Sequence, residues 1–167
     1  MGKFYEALTE ELAVFVRYSA WLNTVPEKAK NDKSELPPQT RCEIRARRWA
    51  KAKPGRIEDE YNPDMPDLNE AGYLVKHLFE VGPTIAAGMG SAAITFEELQ
   101  AWQKSIGIEL MTWEVRALRR LSQEYLAMSR KAEKLDCPDP WNPIAGPKEL
   151  NAVAVSLQSA LKNLAAI

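Results

Sequence analysis

Apolar side chains recur every three or four residues through most of this chain, and no segment alternates apolar and polar residues as a half-buried strand does. In the first segment they fall on one helical face at Tyr5, Leu8, Leu12, Phe15 and Leu22. Ser19 breaks that stripe, and Pro26 ends the helix. The pattern predicts an all-α protein of five to six helices in a compact bundle, with essentially no sheet. A chain of 167 residues, 46% of them hydrophobic, can bury a core of its own.

Proline and charge divide the chain into four predicted regions. They are an N-terminal helical region (1–56), an acidic, proline-containing linker (57–70), a helical core (71–143) and a C-terminal amphipathic helix (144–167). Pro63 and Pro66 argue against a continuous helix in the linker. Because a proline-rich stretch precedes the last helix, we expect that helix to be able to swing away from the core.

Capping residues predict where the helices of the core begin and end. A helix is expected over 68–81, followed by a glycine-bearing loop over 86–93. Thr95 begins the next helix with a capping box, and Gly107 ends it with a left-handed turn. Thr112 is then expected to cap the longest helix, which reaches about residue 134.

The residue types that carry catalysis or hold metals do not occur in suitable patterns. His77 is the only histidine, and Cys42 and Cys137 are 95 residues apart, which is not a zinc-binding spacing. The glycine pair at Gly88 is not followed by the Lys-Ser/Thr of a phosphate-binding loop. The sequence therefore predicts a binding protein that is not an enzyme and that uses no cofactor and no metal.

Charge and cysteine usage suggest where such a protein works. A formal net charge of -1 gives no general attraction to nucleic acid or to acidic membranes. The sequence has no secretion signal and no run of 18 apolar residues, so we expect no membrane association. Two cysteines in such a chain are expected to be reduced thiols in the cytoplasm.

A short basic helix is predicted over 39–53, and it has two interpretations. Residues 34–56 carry a net charge of +5, whereas residues 57–70 carry -6. The basic helix could contact nucleic-acid phosphates, with Trp49 stacking on a base, through Arg41, Arg45, Arg48 and Lys51. We favour the other interpretation, in which the adjacent acidic block neutralises it, so nucleic acid is the less favoured partner.

The last helix is a second candidate binding element. Its apolar residues have heptad spacing at Leu150, Val153, Leu157, Leu161 and Leu164. Such a stripe can pack on the core of its own domain or enter the groove of a partner, and both alternatives stay open.

One combined pattern resembles a known family. It comprises Trp102 at the end of the Thr95 helix, the turn Gly107-Ile-Glu-Leu110, then Trp113-Glu-Val-Arg-Ala-Leu-Arg-Arg-Leu121, and the close Cys137-Pro-Asp-Pro-Trp141. With the apolar helix and glycine-bearing loop before it, the segment 73–141 resembles the tail assembly chaperones of long-tailed bacteriophages and prophages. The shared positions would be Trp102, Gly107, Glu109, Leu110, Trp113, Glu114, Arg116, Leu118, Arg119 and Tyr125. We interpret most of them as the scaffold of a helix-turn-helix unit, with Glu109 bracing Arg116 or Arg119 across the turn.

The resemblance implies a function and partners. Such chaperones bind the long, helical tape measure protein, keep it soluble and help recruit the tail tube protein while the tube polymerises. They act in the cytoplasm of an infected or lysogenic bacterial host, and self-association into a homo-oligomer is compatible with the role. The alternative is a small nucleic-acid-binding phage protein, active in packaging or regulation, that uses the basic helix over 39–53.

Overall fold

The computed structural model describes residues 2–27, 37–68, 70–88 and 90–141, and these residues are mostly helical. The α-helices whose bounds fall within the described residues are α1 (Lys3–Asn23), α2 (Arg41–Ala52), α3 (Tyr73–Val81), α4 (Phe96–Ile106) and α5 (Thr112–Ala132). The all-α prediction is confirmed. The predicted C-terminal helix lies outside the described residues.

The glycine-bearing loop is a small β-hairpin, which the sequence did not predict. Strand β1 (Ile85–Ala87) pairs antiparallel with β2 (Gly90–Ala92). The strands have three residues each, most of them small and exposed, so they carry no alternating pattern that could mark them in the sequence. Ser122 fixes the base of the hairpin: its buried hydroxyl accepts from the Ile94 amide at 2.8 Å and donates to the Pro83 carbonyl at 2.7 Å.

Helices α1 and α5 lie side by side and run in the same direction. Near the start of both helices, Tyr5 stacks on Trp113 with ring centroids 4.5 Å apart. Further along both helices, Arg17 donates to Glu124 at 2.9 Å. Since the contacts advance together along the two helices, α1 and α5 are parallel, and the described chain between them supplies the rest of the bundle.

The main core lies between α1, α3, α4 and α5. Its largest fully buried side chains include Leu12, Leu74, Leu78, Leu99, Leu118 and Leu121. These residues come from the apolar stripes that the helical spacing predicts. The stripe of α3 begins before the helix does, because Ala71 is buried in a turn and the helix starts only at Tyr73, later than the predicted residue 68.

A second, smaller cluster lies at the other end of the α1–α5 pair. It contains Tyr18, Trp21, Leu22, Ala132 and Cys137, with Cys42, Met65, Met128 and Trp141 packed against it. The Trp21 indole donates to the Cys137 carbonyl, which joins α1 to the proline-rich segment after α5. This cluster fixes α2 and the acidic linker on the bundle.

Half of the predicted capping box of α4 is present, the predicted left-handed turn at Gly107 is confirmed, and the predicted cap of α5 is corrected. The Thr95 hydroxyl accepts from the Glu98 amide at 3.2 Å, and Gly107 adopts φ 72° and ψ 30° after the last turn of α4. Helix α5 begins at Thr112 itself, with Met111 as its cap. The reason is that the Glu114 side chain reaches back and accepts a hydrogen bond from the Met111 amide at 2.6 Å. A carboxylate, and not the threonine hydroxyl, therefore binds the free backbone N–H at this end of the helix.

Candidate functional site

A cluster of exposed aromatic and apolar side chains covers the end of the bundle where α1 and α5 begin. We call Phe4, Tyr5, Tyr73, Met111 and Trp113 the aromatic end. Phe4 is 66% exposed and Met111 is 64% exposed, which is unusual for large apolar residues that lie together. The Phe4 and Tyr5 rings meet edge to face with centroids 5.5 Å apart, and Tyr5 in turn stacks on the half-buried Trp113. The rings of Phe4, Tyr5 and Trp113 thus form one continuous series of contacts.

Glu114 holds the aromatic end in place from below. The Glu114 side chain is only 6% exposed, and it accepts hydrogen bonds from the Met111 amide and the Tyr73 hydroxyl. Burial, followed by the hydrogen bond to this carboxylate, raises the pKa of Tyr73 to about 12. Tyr73 therefore keeps its proton and its bond to Glu114 over the physiological pH range, which fixes α3 against the start of α5.

Several of the family-like positions have a packing role in the helix-turn-helix unit. Leu118 is fully buried in the main core, and the Leu110 amide donates to the Gln103 side chain across the turn at 2.8 Å. Trp102 meets His77 edge to face at 5.1 Å, and Tyr125 meets Phe79 at 6.0 Å. These contacts fix α3 and α4 against each other and against α5.

The arginines of the same motif lie outside the core. Among the described residues, neither Arg116 nor Arg119 forms an ion pair with Glu109, so the predicted brace across the turn is absent. Both arginines are exposed on the outer face of α5. The Arg119 guanidinium instead lies 4.7 Å from the centre of the Phe96 ring, and Phe96 is itself 48% exposed.

Two of the four cations proposed to bind phosphate are used inside the fold. Arg41 is 9% exposed and donates to the carbonyls of Ala132 and Lys134, where it caps the C-terminal end of α5. Arg45 pairs with Asp139 and donates to the Tyr18 hydroxyl at 2.7 Å. Of that set, only Arg48 and Lys51 remain exposed.

The acidic block neutralises part of the basic segment, as the favoured interpretation predicts. Arg47 pairs with Glu58 at 3.4 Å and Arg56 pairs with Glu60 at 3.0 Å. Trp49 lies beside Tyr61, and the Lys53 ammonium lies 5.1 Å from the centre of the Trp49 ring. Trp49 therefore already has partners within its own segment.

An open depression of about 430 Å³ lies beside the turn between α4 and α5. It is lined by Gln100, Gln103, Lys104, Gly107, Ile108 and Glu109, which include no histidine, cysteine or paired carboxylates. No group of three metal-ligating side chains occurs among the described residues, and none of the helices described there is long and apolar enough to cross a membrane. Cys42 and Cys137 are free thiols.

The predicted partner-binding stripe from Leu150 to Leu164 lies outside the described residues. The aromatic end was not predicted as a surface. Trp113 was expected in the packing of its unit, whereas Phe4 and Met111 fall outside the family-like pattern. The surface forms because the start of α1 lies beside the start of α5. Comparisons of the chain with protein-family models, with curated proteins and with solved structures gave no match.

Proposed function

We propose that the protein is a tail assembly chaperone of a long-tailed bacteriophage or prophage, and that it binds the tape measure protein through the aromatic end. The observation that carries the proposal is that the family-like unit from Trp102 to Tyr125 helps to build this exposed surface, to which α1 adds Phe4 and Tyr5. Trp113 contributes a ring, and Glu114 holds Tyr73 and the Met111 backbone in place.

The chemistry of the aromatic end suits a helical client. Aromatic and methionine side chains are enriched where proteins bind one another, and they can receive the apolar stripe of an amphipathic helix. Because Tyr5 and Trp113 are stacked on each other, little side-chain freedom is lost when a partner covers them. A chaperone of this kind needs an apolar surface and no catalytic group. In this proposal it acts in the host cytoplasm without a cofactor, and the tail tube protein is its second partner.

Nucleic-acid binding is the weaker proposal. It requires the basic helix to present its cations to phosphates, but Arg41 and Arg45 are bonded within the fold. Arg47 and Arg56 face carboxylates of the adjacent block. A gel shift at low and moderate salt tests this alternative, since phosphate binding weakens steeply as salt rises.

Co-expression with the tape measure protein of the same phage tests the proposal. The wild-type chain should keep the tape measure protein soluble and co-purify with it. The double variant Phe4→Ser/Met111→Ser should lose most of this activity without loss of fold, because both side chains are largely exposed. Ile57→Ser is the matched control, since Ile57 is 59% exposed in the linker and outside the aromatic end. Absence of any co-purification with the wild-type chain would refute the proposal.

A further inference from the structure

Two arginines of the family-like unit lie at the surface of α5 outside any ion pair among the described residues. Elsewhere on the α1–α5 pair the guanidinium groups are used: Arg17 bonds Glu10 and Glu124, and Arg120 also bonds Glu10. Arg116 and Arg119 are exposed and form no ion pair with any described carboxylate. The two guanidinium groups, one helical turn apart, are therefore available to a partner.

The outer face of α5 carries exposed cations towards both of its ends, with neutral residues between them. Its exposed residues from the second turn onward are Arg116, Arg119, Gln123, Ala127, Arg130 and Lys131, and they include no acidic residue. From Arg116 to Arg130 this face extends for about 21 Å at the rise of an α-helix. It begins next to Trp113, so the cations continue directly from the aromatic end.

The environment of Arg119 prepares its guanidinium for a carboxylate. The group lies over the exposed Phe96 ring, 4.7 Å from the ring centre, and this cation–π contact restricts its motion. A guanidinium held in this way keeps its edge free to donate two parallel hydrogen bonds to a planar anion.

We propose that Arg116 and Arg119 select a client segment in which acidic residues follow an apolar stripe along one helix. This inference rests on the proposed function and gives the chemistry of the partner. The apolar stripe of the client covers the aromatic end, and the carboxylates of its next turns meet Arg116 and Arg119.

An acidic protein helix fits this surface better than a nucleic acid does. Exposed carboxylates flank the arginines: Glu97 of α4 lies near Arg119, and Glu109 lies in the turn between α4 and α5. A continuous phosphate backbone would be repelled by these carboxylates. The proposed client helix instead carries its own carboxylates only at the positions that face Arg116 and Arg119. The chain as a whole is also weakly negative, at -1.

Charge reversal with a matched control tests the inference. Arg116→Glu/Arg119→Glu is compared with Arg48→Glu/Lys51→Glu, which changes the net charge equally on exposed residues of α2. Affinity for the purified tape measure protein is measured for each full-length chain, with circular dichroism as the check on folding. The first variant should weaken binding by about tenfold or more and the second by less than about twofold, since each exposed ion pair contributes a modest amount.

Four outcomes would overturn the inference, and they are distinguishable. Equal weakening by both variants would show a general charge effect, and unchanged binding by the first variant would show that the arginines are not contacts; the proposed function survives both results. Binding of a duplex DNA fragment that is lost only in the first variant would assign the face to nucleic acid. No binding of the tape measure protein by the wild-type chain would remove the proposed function together with this inference. A tape measure variant with lysines in place of the matching acidic residues should restore affinity for the charge-reversed chain.

Discussion

Replacing Arg41 by methionine should destabilise the protein, although the residue belongs to a basic helix that looks like a surface element. The Arg41 guanidinium donates to the Ala132 carbonyl at 2.9 Å and to the Lys134 carbonyl at 2.6 Å. It also lies 4.7 Å from the centre of the Trp21 ring. These carbonyls terminate α5, where a positive charge is favoured by the helix dipole.

The size of the effect follows from these contacts. A hydrogen bond to a charged donor contributes about 1.5–3 kcal/mol. The two short bonds are lost together with longer ones to Ala132 and Leu135 at 3.3 and 3.5 Å, while methionine retains part of the packing. We therefore expect the free energy of unfolding to fall by about 3 kcal/mol, measured by urea denaturation followed by circular dichroism. Arg48→Met, on the exposed face of the same helix, should change it by less than about 0.5 kcal/mol. Similar values for the two variants would refute the assignment of Arg41 to the fold.

Three further predictions follow from other buried or constrained groups. Ser122→Ala removes the hydroxyl that joins the Ile94 amide to the Pro83 carbonyl. Because both backbone groups lose a hydrogen bond, the free energy of unfolding in urea denaturation should fall by about 1–3 kcal/mol. Gly107→Ala should cost about 1 kcal/mol in the same assay because of its positive φ, whereas Gly90→Ala, which has open space and no positive φ, should be nearly neutral. The pKa of Tyr73 is raised from 10.0 to about 12, so its contribution to stability is complete below pH 10 and is lost as the pH rises through 12. Alkaline titration of absorbance at 295 nm should show a late component, to which Tyr18 and Tyr125 also contribute because burial raises their pKa values. Tyr73→Phe should reduce this component and Glu114→Gln should shift part of it downward; an unchanged titration curve in both variants would contradict this environment.

The fold class could be predicted because the helical signals are local. Apolar spacing locates α1 and α5, and the turn residues Thr95 and Gly107 act through backbone bonds within a few residues of themselves. The pairing of Arg47 with Glu58 was also accessible, because opposite charges that are close in sequence are usually close in space.

What could not be predicted depends on contacts between distant parts of the chain. The Arg41 side chain bonds α5 over a separation of 91 residues, and nothing in the local sequence distinguishes it from the exposed Arg48. The aromatic end likewise depends on Tyr5 meeting Trp113, which requires α1 and α5 to be parallel neighbours. The hairpin over 85–92 was missed because three-residue strands of small residues have no periodic signal.

Hydrogen–deuterium exchange of the purified protein, alone and in complex with the tape measure protein, tests the central claim most directly. Binding at the aromatic end should slow exchange at the amides of 3–8 and 111–119, which carry the exposed rings and the two outer arginines of α5. Protection confined to the basic segment over 41–56, or no change in either region at saturating tape measure protein, would contradict the account.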